Sequence, residues 1–187
     1  MRTAKDKHVV VGADFAGFPL KEAVKNHLIE RGWTVEDLTP VLEETPMYQR
    51  AGFMVGARIA EREFEKGLLF CGTGMGIHVA ASKCPHVHAA VCESVPAALR
   101  CTTANNCNVM AMGAFYIAPR LGMAMADAFL DHSFGEGYED WQGFDDYHSI
   151  GYEECEHFDY EAYKANWFAV VDAQEAPLGA EPCGLAF

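Results

Sequence analysis

The sequence predicts an α/β fold, a Rossmann-like three-layer αβα sandwich around a five-stranded parallel sheet, and three observations predict it. Short apolar runs alternate with stretches of helical period from His8 to Leu130. The runs carry few polar interruptions, as strands buried on both faces do. Residues able to do chemistry (Asp14, Cys71, Glu93) or a turn glycine (Gly113) stand directly after them. Alternating strands and helices imply a mainly parallel sheet, and right-handed crossovers gather the strand C-termini on one edge, where ligands bind.

The elements follow in order. His8-Val9-Val10-Val11-Gly12 is the first strand. Phe18 to Arg31 has apolar residues at helical spacing, and Gly32 suits its C-terminal cap. Trp33 to Leu38 alternates as the second strand, and Pro40 to Pro46 is an acidic loop. Met47 to Phe64 reads as a helix in which Gly52, Gly56, Ala57 and Ala60 allow close packing. Gly67 to Cys71 is the third strand, followed by a helix over Ile77 to Lys83. His88 to Cys92 and Asn108 to Met112 are the last two strands, with a helix from Pro96 to Thr103 between them. Pro119 to Leu130 is a further amphipathic helix. Beyond it the character changes to an acidic, aromatic extension, residues 138–187, with helical periodicity from Phe158 to Val171. This extension is expected to pack on the first domain, residues 1–137, or on a partner subunit.

Composition narrows the function. The 187-residue chain has a formal net charge of -13, which argues against nucleic acid and anionic membranes, since both select a basic footprint. The N-terminus lacks the apolar core of a signal peptide, and no apolar run approaches bilayer length. Seven cysteines without zinc-type spacing read as reduced thiols in a cytoplasmic protein. The run His148 to His157 matches no metal pattern, so neither metal nor cofactor is expected.

The most informative stretch is Cys71-Gly72-Thr73-Gly74-Met75-Gly76 at the end of the third strand. Glycines let the backbone turn tightly and aim several N–H groups at one spot, and a helix start adds partial positive charge. Such a cradle holds a phosphate or a developing oxyanion, and its dipoles favour a thiolate on the cysteine at its lip. Asp14 reads either as a substrate ligand on the same edge or as a cap of the next helix. Thr73 reads as a turn support whose N–H serves the cradle.

In these motifs the chain resembles the family of ribose-5-phosphate isomerase type B and the galactose-6-phosphate isomerase subunits. Gly12-Ala13-Asp14-Phe15-Ala16-Gly17-Phe18-Pro19-Leu20-Lys21 stands where the family has Gly-x-Asp-His-Ala-Gly-Phe-x-Leu-Lys, and the loop from Cys71 to Gly76 is unbroken. Ala89 to Cys92, Asn105 to Gly113 and Asp131 to Gly137 follow in the family's order. The resemblance implies a homodimer or higher homo-oligomer with an active site shared across the interface. It also implies metal-free aldose–ketose isomerisation through a cis-enediolate. Cys71 would be the base, with Thr73, Gly72, Gly74 and Gly76 around the enediolate, while Asp14 and Asn105 orient the sugar or sugar phosphate.

The departures from the family are specific. Phe15 replaces a histidine, Ala104 stands at the ring-opening histidine, and His78 replaces a serine. Tyr138-Glu139-Asp140-Trp141-Gln142-Gly143 occupies the place of the phosphate-gripping arginines. Phe15, His78 and Arg100 are therefore further candidates for substrate binding. An unphosphorylated or uronate-like substrate, or a non-catalytic sugar-binding subunit of a hetero-oligomer, are the alternatives these departures raise.

Overall fold

A computed structural model describes residues 1–165. It divides into two compact units, Met1–Phe134 and a second beginning at Gly135. The first unit contains β1 (His8–Ala13), α1 (Phe18–Glu30), β2 (Thr34–Asp37), α2 (Tyr48–Ala60), β3 (Gly67–Cys71), α3 (Met75–Ala81), β4 (Ala89–Val91), α4 (Val95–Thr103), β5 (Val109–Gly113) and α5 (Pro119–Leu130). All five strands are parallel, in the order β2-β1-β3-β5-β4. β1, β3 and β5 are the near-continuous apolar runs, as the inner strands of a doubly covered sheet must be.

Alternate strand residues feed two cores. Val9, Val11, Leu68, Phe70, Met110 and Met112 pack under α1, α4 and α5, while Val10, Leu69, Cys71 and Ala111 pack under α2 and α3. Gly52 and Gly56 do the work their spacing suggests. A Cβ at Gly52 would come within 2.6 Å of the Ile77 carbonyl, and one at Gly56 within 2.8 Å of the Cys84 sulfur. Any side chain there would push α3 and its C-terminal turn away from α2.

Several boundaries differ from the sequence reading. α2 stops at Ala60, because Arg62 takes a left-handed φ of 55° and the chain turns back to bury Phe64. The helix after the glycine loop starts two residues early, at Met75, once Gly74 has supplied a φ of 78°. β4 is cut to three residues at the sheet edge, where it has one neighbour only. The acidic loop holds a single 3-10 turn, Leu42–Glu44.

Strand order positions the site. The chain leaves β1 by α1 on one face and leaves β3 by α3 on the other, so the loops after these neighbouring strands part above the sheet. Such a reversal point is where open parallel sheets form their crevice. Beside it, Lys21 is fully buried and gives hydrogen bonds to Asp37 (2.8 Å) and the Thr39 carbonyl (2.6 Å). Burial pushes the Asp37 carboxyl up, but hydrogen bonds from Lys21 and Lys25 outweigh it and hold the group below the usual carboxylate range.

The second unit has a π-helical turn, Asp145–Ser149, then α6 (Ile150–Glu156) and α7 (Tyr160–Ala165). The expected helix from Phe158 to Val171 is described only to Ala165, and its remainder lies outside the described residues. Tyr138, Trp141, Phe144 and His148 form a small aromatic core, with Tyr138 and Phe144 centroids 4.9 Å apart.

Candidate active site

The loop after β3 is built around the Cys71 sulfur. Cys71 is buried at the last register position of β3, and its Sγ accepts the Gly74 N–H at 3.1 Å. Thr73 Oγ1 accepts the Met75 N–H at 3.3 Å, the turn support anticipated for it. The N–H groups of Gly72, Thr73 and Gly76 donate to no acceptor among the described residues. Donors left over at a first turn are able to stabilise an arriving negative oxygen, which completes bonds the protein leaves unmade.

Asp14 stands next to it. The register pairs Ala13 with Phe70, and the Asp14 N–H donates to the Phe70 carbonyl at 3.1 Å. Asp14 does not cap α1, which begins after Gly17. Its Oδ1 instead accepts the Gly17 N–H at 2.8 Å, closing a turn one step earlier. Burial raises the Asp14 carboxyl above its ordinary value, against the lowering effect of the Gly17 and Ala16 N–H groups. The turn lies hard against the cysteine strand, for a Cβ on Gly17 would sit 2.2 Å from the Phe70 carbonyl carbon. Phe15, on the same turn, is 69% exposed.

Two residues not singled out from sequence flank the cradle. The Phe115 N–H donates to the Gly72 carbonyl at 2.9 Å, and its ring lies where a Cβ on Gly72 would be, 2.5 Å from Cε2. Tyr48 does the same at Gly76, 2.6 Å from a built Cβ. Both rings keep solvent-exposed surface, and no local pattern announces either contact. The only available signal was that each opens a segment at the ligand-bearing edge. Gly72 and Gly76 are thus small because rings rest on them, whereas Gly74 is glycine for its backbone angle.

The remaining candidates are placed elsewhere. His78 Nε2 pairs with the Ala89 carbonyl at 3.1 Å, which anchors the edge strand β4. No hydrogen bond links His78 to Cys71, Asp14 or Thr73 among the described residues. Asn105 is exposed in the turn between α4 and β5, at the opposite edge of the sheet from Cys71, and Arg100 lies in the last turn of α4. Ala104, at the position of the family's histidine, is buried at the end of α4. One copy of the chain therefore unites Asp14, Phe15, Cys71, Gly72, Thr73, Gly74 and Gly76, but not Asn105.

An open apolar groove of about 990 Å³ lies within the second unit, lined by Ile150, Cys155, Phe158 and Tyr163 among others. It offers no comparable convergence of donors and a nucleophile. No helix among the described residues is long and apolar enough to cross a membrane.

Comparison with known proteins places the chain among sugar isomerases. A 4-deoxy-4-sulfo-D-erythrose isomerase of Clostridium sp. (strain MSTE9) is 40% identical over 135 residues, 72% of this chain and 85% of that protein. D-erythrulose-4-phosphate isomerase of Pectobacterium atrosepticum is 33% identical, over 69% of this chain and 86% of its own length. Ribose-5-phosphate isomerase B of Escherichia coli is 34% identical, over 70% and 88%. Among solved structures, a ribose 5-phosphate isomerase from Thermotoga maritima superposes with a TM-score of 0.71 at 29% identity, covering 81% of this chain and 98% of that one. Residues 9–143 match the Ribose/Galactose Isomerase family model, and with these relatives the chain belongs to that family of sugar isomerases.

Proposed function

We propose that the protein interconverts an aldose and a ketose by moving a proton between C1 and C2 through a cis-enediolate, on a four-carbon sugar ending in an anionic group. The single observation that carries the chemistry is one loop combining a buried thiol with three N–H groups that have no acceptor among the described residues. Cys71, as thiolate, takes the proton from one carbon and returns it to the next. The N–H groups of Gly72, Thr73 and Gly76 stabilise the oxygen that becomes negative as the C–H bond breaks. Asp14, one strand away, orients sugar hydroxyls. All these groups come from the chain, and the proton transfer calls for no cofactor.

Asn105 enters this reading from a second copy. Its place at the far edge of the sheet keeps it from the Cys71 of its own subunit, so a homodimer with a shared site is the arrangement that lets both serve one substrate.

The substrate follows from charge. Two of the relatives act on four-carbon sugars, one with a sulfonate and one with a phosphate at C4. Here Glu139 and Asp140 stand where a phosphate dianion would need arginines. A sulfonate carries one negative charge, against roughly 1.5–2 for a phosphate monoester at neutral pH. The weaker cationic demand favours the sulfonate.

Proton NMR in deuterated water tests the proposal with 4-deoxy-4-sulfo-D-erythrose, erythrose 4-phosphate, ribose 5-phosphate and erythrose. The expected result is deuterium at C1 or C2, with the highest kcat/KM for the sulfo sugar. Highest kcat/KM for ribose 5-phosphate or for uncharged erythrose would overturn the substrate assignment. Absence of exchange with all four would favour a non-catalytic subunit.

A further inference from the structure

In the first unit, the loops at the site's edge of the sheet carry no cation of their own. Residues 14–17, 38–47, 72–74, 92–94 and 114–118, which follow the five strands, contain no lysine, arginine or histidine. The first turns of the helices that these loops enter hold Lys21, Arg50, His78 and Arg120. Lys21 is fully buried against Asp37 and Thr39, and His78 is held by the Ala89 carbonyl. Tyr48 turns its side of α2 to Gly76, and Arg50, two residues on, stands about 200° round the helix from it. Arg120 remains.

The register of α1 and α5, which run parallel on one face of the sheet, places this arginine. Asp127 pairs with His27 at 2.9 Å and Asp131 with Arg31 at 2.7 Å, a constant offset of 100 residues. Carried back along α5, that offset sets Arg120 level with Leu20, and a Cβ on Gly122 would lie 2.9 Å from Leu20 Cδ1. Arg120 precedes Asp127 by two helical turns, so both stand on the stripe that faces α1. Long helical side chains lean toward the helix N-terminus. Arg120 therefore leans one turn up, to the level of Gly17 and the turn that Asp14 closes. The segment leading into α5 is itself tied to the cradle, for the Ala114 and Phe115 N–H groups donate to the Cys71 and Gly72 carbonyls at 2.9 Å each. Arg120 is exposed and makes no hydrogen bond or ion pair among the described residues.

We propose that Arg120 receives the anionic end of the substrate and sets the preference for a charged over an uncharged sugar. This rests on the reading of the substrate as a sugar that ends in an anionic group. A sugar with C1 and C2 at Cys71 and its hydroxyls at Asp14 has its far end toward the start of α5. A guanidinium presents a rigid fork of N–H donors, which two oxygens of a sulfonate accept together. One cation then meets one negative charge, whereas a phosphate monoester, with roughly 1.5–2 charges at neutral pH, stays partly unmatched.

Full-length Arg120→Gln and Arg120→Lys are compared with the wild type on 4-deoxy-4-sulfo-D-erythrose and on uncharged erythrose, by steady-state kinetics and by calorimetry. Arg120→Gln should raise KM and Kd for the sulfo sugar about ten- to hundredfold, the range for losing hydrogen bonds to a charged group. Its kcat should change little, and its KM for erythrose should hold. Arg120→Lys should recover part of the loss, because it restores the charge without the fork. Arg50→Gln should behave as the wild type. A sulfo-sugar preference retained in Arg120→Gln would overturn the role of Arg120 and leave the reading of the substrate standing. An equal loss for both sugars would reduce Arg120 to a support of the fold and overturn its role in specificity. A wild type that distinguishes the two sugars in neither KM nor Kd would overturn that reading and the proposal with it. The dissociation constants decide the same comparison in the absence of turnover.

Discussion

The two ends of β3 are built on opposite rules. At its foot, the buried Lys66 gives its protons to Thr102 Oγ1 (2.9 Å) and to the carbonyls of Phe129 and His132 (2.7 Å each), closing the end of α5. At its top, five residues later, a buried thiol faces a loop with three N–H groups that have no acceptor among the described residues, rimmed by exposed rings. A satisfied polar network at the foot holds the fold, while the incomplete one at the top is where the proposed reaction puts its substrate. The difference teaches that stability and turnover are separable here over the length of one short strand.

Breaking the top tests that separation most severely. Cys71→Ala should lower turnover by about 10²–10⁴-fold, the range for loss of a general base, while leaving the melting temperature nearly unchanged. Steady-state kinetics with calorimetry on the same sample checks both halves. Full activity would remove Cys71 from the chemistry.

The converse experiment spares the thiol and attacks the frame. Asp37→Asn removes the more buried of the two carboxylates that pair with the buried Lys21 ammonium, leaving only Glu22, and breaking a buried pair costs up to about 3–5 kcal/mol. Because the folded Asp37 lies below its ordinary value, its contribution is complete above the unfolded carboxyl pKa of about 3.9. It is lost as pH falls through the lower, folded value. Urea melts from pH 7 down to pH 2 should show a steeper acid decline in the wild type than in Asp37→Asn. Parallel profiles would mean the pair contributes nothing.

A further loss of stability, comparable in size, is expected at the foot itself. Lys66→Met keeps the aliphatic stem but strands two carbonyls and a hydroxyl, each costing about 1–3 kcal/mol where water cannot reach. Denaturant midpoints should fall while kcat/KM of the remaining folded protein holds. A kcat loss without destabilisation would blur the contrast between the two ends.

The finest probe is the rim. Phe115→Ala removes a ring contact worth about 0.5–1.5 kcal/mol. A rise in KM of roughly two- to tenfold with little change in kcat is expected if the ring walls the substrate. An unchanged KM would reduce Phe115 to a prop for the loop.

How much of this was legible in the residues depends on whether the cause is local. The glycine loop was legible, because a strand end, a left-handed turn and a helix start occupy six consecutive positions. The parallel sheet was legible from its apolar runs. Lys21 misleads in isolation, since it shares a sequence motif with Asp14, yet it is fully buried as an ion-pair partner. Tyr48 and Phe115 were invisible because their contacts to Gly76 and Gly72 join segments far apart in the chain. Asn105 was recognisable as a motif, but its distance from Cys71 is a property of strand direction.

The rings on Gly72 and Gly76 have a consequence for descent. A lineage that gained a side chain at position 72 would meet the Phe115 ring before gaining anything from the change, and the same holds at 76 with Tyr48. Each glycine is therefore coupled to a distant aromatic, whose exposed ring has to swing aside before a side chain fits. Moving the sugar preference of this scaffold should require paired exchanges, 72 with 115 or 76 with 48. Among relatives, those positions should be inherited together as two haplotypes more often than they vary alone.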